Sequence, residues 1–187
     1  MKSYPTSGGA AKAGSAHLRA QPDAAVVMAR KFEDVFLHAF TRSRKVGPGS
    51  RKHLFVTLRF HEAPTLNRDA AAEWASCNLP ATALHEWFVA TGLEKKKDLF
   101  VALQVSPSTL SRAKPETTLD AAVTERMLRQ SELFVRAAEV FGENGATWMT
   151  TPHGLLGGKA PVEYATNEFG GAKVRQILNA IEYGGVV

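Results

Sequence analysis

The chain has 187 residues, 44% of them hydrophobic, which excludes a fully disordered protein. A chain of this length holds one ordinary domain or two small ones. The single cysteine, Cys77, excludes an intramolecular disulfide and is typical of a reducing compartment. The N-terminus lacks the apolar core of a signal peptide, and no stretch reaches the roughly 20 apolar residues that span a bilayer. We therefore expect a cytoplasmic protein without membrane contact.

Charge is distributed unevenly along the chain, whose formal net charge is +5. Residues 1–118 carry 17 basic and 10 acidic side chains, whereas residues 119–187 carry 6 basic and 8 acidic ones. A basic region can release counterions from a phosphate backbone, and a slightly acidic region suits a different partner. Ordinary solubilising charge is the alternative explanation, and charge alone favours neither strongly.

The first part of the chain predicts a flexible tail over residues 1–22, where glycines and small polar residues dominate. Apolar residues at helical spacing then predict a helix over Asp23–Phe40. The next stretch, His53–Glu62, alternates weakly and is either a short strand or more helix. An alanine-rich helix is predicted over Asn67–Ser76, capped by Asn67 or Asp69. Between the first helix and the weak strand lies a basic loop, which either contacts phosphate or is a solvated linker: Arg42, Arg44, Lys45, Arg51 and Lys52.

Helices dominate the rest of the chain. Trp148 lies in a short helix that ends before Pro152. The other predicted ranges are marked by periodic apolar residues or by a terminal glycine or proline, and they are Ala81–Thr91, Glu94–Leu103, Pro107–Ala113, Leu119–Phe141, Val162–Ala165 and Ala172–Ile181. The sequence therefore predicts a mostly α-helical fold.

The segment Leu99–Arg112 has the pattern of a helix-turn-helix. Leu99 and Leu103 lie one turn apart on one face, and Val105 fills the turn. Ser106 is placed as an N-cap, and proline at the next position, the first of the second helix, costs nothing there. Leu110 is expected to pack the second helix back against the first.

A short helix of this kind can enter the major groove of DNA. We expect Arg112 to make a bidentate contact to guanine. The hydroxyls of Ser106, Ser108, Thr109 and Ser111 suit phosphate or base edges, and contacts to the DNA backbone are expected from Lys95, Lys96, Lys97 and Lys114. A helical hairpin that binds no nucleic acid is the alternative.

Two residues depart from the usual helix-turn-helix pattern. Gln104 stands where the turn commonly has glycine, and a left-handed conformation there costs about 1 kcal/mol. Phe100 stands where the first helix commonly has alanine, so we expect it to push the two helices apart or to change their packing.

The C-terminal quarter carries several motifs in a fixed order. They are Phe141-Gly142, Trp148, Leu156-Gly157-Gly158-Lys159-Ala160-Pro161 and a last helix that ends in Ile181 and Gly184. Leu155 and Leu156 are expected in the core, and Val174, Ile177, Leu178 and Ile181 share one face of the last helix. Together with the preceding helix-turn-helix, this order resembles the antitoxins of the Xre/MbcA/ParS family. The resemblance covers roughly residues 84–187 and leaves residues 1–79 uncovered.

The resemblance implies an Xre-like helix-turn-helix followed by a small helical toxin-binding domain, with an N-terminal extension. Such antitoxins neutralise RES-domain toxins, which consume NAD, by covering the entrance of the active site. They bind the promoter of their own operon and commonly form dimers and larger toxin–antitoxin assemblies. The toxin-facing residues would be Lys173, Arg175, Gln176 and Asn179, followed by Glu182, Tyr183, Gly184 and Gly185 of an end short and flexible enough to enter a cleft. Simple fraying is the alternative for this end.

Nothing in the sequence indicates catalysis. None of the six histidines has metal-site spacing, no serine lies in a nucleophile elbow, and no metal or cofactor is expected. Two alternatives stay open: a transcription regulator whose C-terminal domain only dimerises, and an adaptor that uses the helix-turn-helix for protein contacts. The predicted divisions are a tail at 1–22, an extension at 23–79, a DNA-binding region at 80–141 and a toxin-binding domain at 142–187.

Overall fold

The N-terminal region combines two helices and a small hairpin. A computed structural model of the chain describes residues 22–42, 52–57, 63–111, 114 and 116–185. Helix α1 spans Pro22–Arg42, and strands β1 (Phe55–Thr57) and β2 (Pro64–Leu66) pair antiparallel. Helix α2 spans Arg68–Ala75 and is capped by Asn67, whose side chain accepts a hydrogen bond from the Ala70 amide. The alternative of a short strand within residues 53–62 is thus confirmed over 55–57. Residues 1–21, 43–51 and 58–62 lie outside the described residues.

The central region holds three short helices in succession. They are α3 (Ala83–Thr91), α4 (Lys96–Leu103) and α5 (Pro107–Ser111). Gly92 ends α3 in the left-handed conformation, as its position in the sequence predicts. Arg112 and Ala113, the last residues of the predicted third helix, lie outside the described residues.

A long helix, α6 (Ala121–Phe141), is the axis on which the C-terminal region is built. It begins at Asp120, whose carboxylate accepts from the Ala122 amide. The helices that follow are α7 (Gly145–Thr150), α8 (Pro161–Tyr164) and α9 (Glu168–Tyr183), with short 3-10 helices at Gly142–Asn144 and Gly154–Leu156. The prediction of a mostly α-helical fold is confirmed.

The core of the protein crosses all of these regions. Phe32 of α1, Trp87 of α3 and Phe134 of α6 form an aromatic triangle with ring centroids 6.1–6.4 Å apart. The Trp87 indole also donates to the Ser131 hydroxyl, which satisfies a buried polar group. Buried apolar residues from Ala25 to Leu178 belong to one cluster. The N-terminal extension therefore packs against the long helix, and the predicted division at residues 79 and 80 stays a prediction.

Three details of the sequence-based picture need correction. Leu155 is half exposed, because the 3-10 helix turns only Leu156 into the core. Ile181 is also partly exposed, although Val174, Ile177 and Leu178 are buried as expected. The last helix begins four residues earlier than the predicted Ala172.

Among the described residues, no helix is long and apolar enough to cross a membrane.

Candidate functional site

The α4–α5 unit, residues 96–111, consists of two short helices joined by a turn and contains most of the predicted helix-turn-helix. Gln104 ends α4 in the left-handed conformation, with φ of 51°, as predicted. The Val105 amide donates to the Phe100 carbonyl at 3.2 Å and closes the turn. Leu99 and Leu103 are buried, and Val105 nearly so. Phe100 is half-buried against the core, so α4 accommodates this larger side chain at its margin.

The outer face of the α4–α5 unit is polar and exposed. Lys95, Lys96 and Lys97 are exposed at the start of α4, and Lys114 is exposed beyond α5. Ser106, Ser108 and Ser111 are also exposed, whereas Thr109 is half-buried. The Ser106 hydroxyl lies 2.7 Å from that of Ser108 and 3.1 Å from that of Thr109. Arg112 and the Leu110 side chain lie outside what the structure describes, so their predicted roles stay predictions.

Two side chains of α6 cap the end of α4. The Arg126 guanidinium donates to the Leu103 carbonyl at 2.8 Å, and the Gln130 amide lies 3.4 Å from the Ala102 carbonyl. The last carbonyls of a helix lack partners within the helix, so these contacts satisfy acceptors that would otherwise be orphaned. The α4–α5 unit is thereby tied to the long helix.

The same stretch of α6 also holds the C-terminal helices. Gln130 donates to the carbonyls of Val162 and Ala165 at 3.2 and 3.3 Å. Arg129 donates to the carbonyls of Ala165 and Thr166 at 3.2 and 3.0 Å. Both side chains are buried, and the Gln130 Oε1 atom has no partner among the described residues. Sequence reasoning missed this role, although polar residues in the buried middle of an amphipathic helix were a signal for it.

The motifs that carry the family resemblance have structural positions in the C-terminal region. The rings of Phe141 and Trp148 stack with centroids 5.2 Å apart, and Trp148 meets the edge of His153. Gly157 and Gly158 both have positive φ, which permits the tight turn before Pro161 starts α8. The motifs therefore specify one compact turn around the end of α6.

Helix α9 approaches its neighbours closely in its first turn. Asn167 caps the helix and accepts from the Gly170 amide at 2.9 Å. A Cβ atom on Gly170 would lie 2.1 Å from the Tyr164 carbonyl oxygen, and one on Gly171 would lie 2.9 Å from the Arg129 side chain. Glycine is therefore required here for space and not for backbone angle.

A seam of ion pairs joins α9 to α6. Arg175 donates to Glu132 at 2.8 Å and also pairs with Glu168. Arg136 pairs with Glu139 and Glu182, and it donates to the Asn179 amide oxygen at 2.9 Å. A cleft of about 360 Å³ lies between this seam and the hairpin residues Phe55 and 64–66.

Burial shifts the ionisation of two residues in this α6–α9 seam. Desolvation raises the pKa of the Glu132 carboxyl, and the positive charge of Arg175 offsets part of that rise. Burial acts to lower the pKa of Arg136, but its hydrogen bonds with Glu182 and Glu139 outweigh this and raise it. Arg136 thus stays charged where it holds two helices together.

The structure separates the predicted toxin-facing residues into two groups. Arg175 and Glu182 form ion pairs with α6, and their toxin-facing role stays a prediction. Gln176, Asn179, Tyr183, Gly184 and Gly185 are exposed, although the Asn179 amide oxygen accepts from Arg136 of α6. Lys173 is half-buried with its amine 3.4 Å from the Gln176 amide oxygen. Glu182 and Tyr183 belong to the last turn of α9 and not to a loose end, and Gly184 caps that turn with φ of 68°. Val186 and Val187 lie outside the described residues.

Helices α7, α8 and α9, held on the second half of α6, define a small helical domain of the toxin-binding class found in antitoxins. Residues 136–184 match the family model described as the antitoxin Xre/MbcA/ParS C-terminal toxin-binding domain. No curated protein matches the chain. The match lies at the C-terminal end of the chain, which therefore carries a toxin-binding domain of this antitoxin family. The match supports the role of an antitoxin in a toxin–antitoxin system, with a cognate toxin as its partner.

Proposed function

We propose that this antitoxin binds and blocks a RES-type, NAD-consuming toxin and represses its own operon by binding DNA. The match of the toxin-binding family to residues 136–184 carries the first half of the proposal. The left-handed turn of the α4–α5 unit, with exposed lysines and hydroxyls around it, supports the second half.

Inhibition in this proposal is steric and involves no reaction by the antitoxin. Helix α9 is held rigidly by the α6–α9 seam and turns an exposed face outward. A surface fixed before binding loses little conformational entropy when it docks. Gly184 and Gly185, which follow α9, have no side chains, so this segment is narrow enough to enter the mouth of an active site.

DNA binding in this proposal uses the face that carries Lys95, Lys96 and Lys97. The lysines contact phosphates and position the unit, while Arg112 reads a guanine. We expect a cytoplasmic homodimer that binds two half-sites and assembles further with its toxin. These features of the proposal rest on the family resemblance.

Co-expression with the RES-domain toxin of the same operon tests the toxin half. We expect the full chain to restore growth and cellular NAD and to elute with a catalytically inactive toxin in gel filtration. If NAD stays depleted and the two proteins elute separately, the assignment of a RES toxin is wrong.

Binding to the chain's own upstream DNA, measured by fluorescence anisotropy at fixed salt, tests the other half. Arg112→Ala should weaken specific binding by about 1–3 kcal/mol. Lys96→Ala should weaken binding to all DNA sequences alike and lower the slope of log affinity against log salt concentration by about 1. Lys173→Ala, which removes a lysine from α9, is the matched control and should bind as the parent does. An unchanged Arg112→Ala would refute the base contact, and a parent chain that ignores the DNA would refute repression.

A further inference from the structure

The two most exposed large hydrophobic side chains among the described residues both lie on α9. Phe169 in its first turn is 89% exposed, and Tyr183 in its last turn is 68% exposed. An aromatic ring left in water forgoes the free energy that its burial would provide. Neither ring adds to the buried core, so their exposure needs another explanation.

The two rings lie on the same side of the helix. They are separated by 14 residues, which is close to four helical turns and about 21 Å along the axis. Ala172, Gln176 and Asn179 lie between them on that side, and all three are exposed and uncharged. We name these five residues the aromatic-ended face.

The ends of this face are held in place by the rest of the domain. Phe169 precedes Gly170 and Gly171, the two positions at which α9 touches Tyr164 and Arg129. Tyr183 has the Arg136 guanidinium 6.0 Å from the centre of its ring. The helix therefore fixes the spacing of the two positions that carry the rings before any partner binds.

We propose that the aromatic-ended face is the docking surface for the cognate toxin. The toxin would present an uncharged groove with two apolar pockets about 21 Å apart, one for each ring. The whole face lies within the residues that match the toxin-binding family, and its lack of charge favours an uncharged groove over a strongly charged one. This inference rests on the proposed function, and it adds Phe169 as an anchor at the end of α9 far from the chain terminus.

The affinity of the purified full-length chain for the catalytically inactive RES-domain toxin of the same operon tests the inference. Phe169→Ala should weaken binding about 30-fold or more, as expected for a buried aromatic anchor at an interface. Ala172→Lys, which puts a long charged side chain into the middle of the face, should weaken it at least as much. Val89→Ala removes an apolar side chain that is 63% exposed on α3, and it should bind within twofold of the parent.

The outcomes are separable. We expect the melting temperature of Phe169→Ala to be unchanged, because the ring is so exposed. An unchanged melting temperature shows that any loss of binding arises at the interface. If that melting temperature falls, Ala172→Lys serves as a second variant. If the parent binds the toxin and both variants bind equally well, the docking surface is wrong while the proposed function stands. A parent that does not bind overturns both. If sedimentation shows that Phe169→Ala dissociates a dimer while toxin affinity is kept, the face contacts a second copy of the chain and the inference fails.

Discussion

The turn between α4 and α5 and the first turn of α9 use glycine in opposite ways. Gln104 occupies a left-handed position, with φ of 51°, where glycine would be unstrained. Gly170 and Gly171 occupy helical positions, where glycine is unfavourable, because a Cβ atom would collide with Tyr164 or Arg129. Strain of about 1 kcal/mol is tolerated at Gln104, whereas the space required at Gly170 cannot be made without moving the backbone of Tyr164.

The two regions also differ in how their polar groups are satisfied. The hydroxyls of Ser106, Ser108 and Thr109 bond to one another within α5 and its preceding turn. Around α9, the polar groups of Arg136 and Arg175 reach residues more than 40 positions away. The hydroxyl cluster of the candidate DNA face is therefore local, whereas the toxin-binding domain depends on contacts between distant segments.

Replacing Gly170 with alanine should have the largest effect. The added Cβ atom would lie 2.1 Å from the Tyr164 carbonyl oxygen, so we expect about 3 kcal/mol of destabilisation, the upper end for overpacking. Urea denaturation of the full chain measures the free energy of unfolding. Gly154→Ala is the matched control, since its Cβ would meet nothing within 4 Å, and it should leave the stability within about 0.5 kcal/mol. Equal stabilities for the two variants would show that α9 does not require this close approach.

Sequence reasoning located α9 but not its full range. The apolar spacing of Val174, Ile177 and Leu178 predicted the helix. The predicted range nevertheless began at Ala172, because two glycines disfavour a helix. The two glycines are needed because α8 and α6 approach α9 closely, and a local sequence pattern carries no information about that approach.

The candidate sites were predictable to the extent that they are local. Gln104, Leu99 and Leu103 lie as predicted, because one turn and its flanking residues determine their conformation. The roles of Gln130 and Glu132 were missed, since their partners lie in segments that the sequence does not connect to α6. The exposure of Phe169 was missed for a similar reason, because burial depends on what packs against the helix.

Replacing Gln130 with methionine should have the next largest effect. The change keeps the side-chain volume but leaves the carbonyls of Ala102, Val162 and Ala165 without this donor. We expect a loss of about 2 kcal/mol, moderated because the unpaired Oε1 atom is removed as well. Gln176→Met makes the same change on the exposed side of α9 and should alter the free energy of unfolding little. If both variants unfold at the same urea concentration, the buried amide does not join the two regions energetically.

Replacing Gln104 with glycine should act in the opposite direction from the change at Gly170. Glycine removes the left-handed strain, which stabilises the folded state, but it also increases the entropy of the unfolded chain, which offsets part of that gain. We expect a net gain in stability of about 0.5 kcal/mol. Gln104→Ala keeps the strain and should show no gain. The comparison is a difference in thermal midpoint between the two variants, and a lower midpoint for the glycine variant would mean that the turn is not under strain.

The smallest effect concerns the pH dependence of the α6–α9 seam. Burial raises the pKa of Glu132 above the value it has in the unfolded chain. The folded state therefore binds this proton more tightly than the unfolded chain does. The stabilisation that the proton provides is fully present below the ordinary glutamate pKa, and it is lost as the pH rises through the raised pKa. Urea denaturation at a series of pH values from 4 upward should show this fall for the parent chain and for Glu143→Gln, an exposed control, but not for Glu132→Gln. The effect is small because Arg175 already offsets part of the cost of burial. A fall of the same size in Glu132→Gln would assign the pH dependence to another group and leave the seam without a titrating residue at this position.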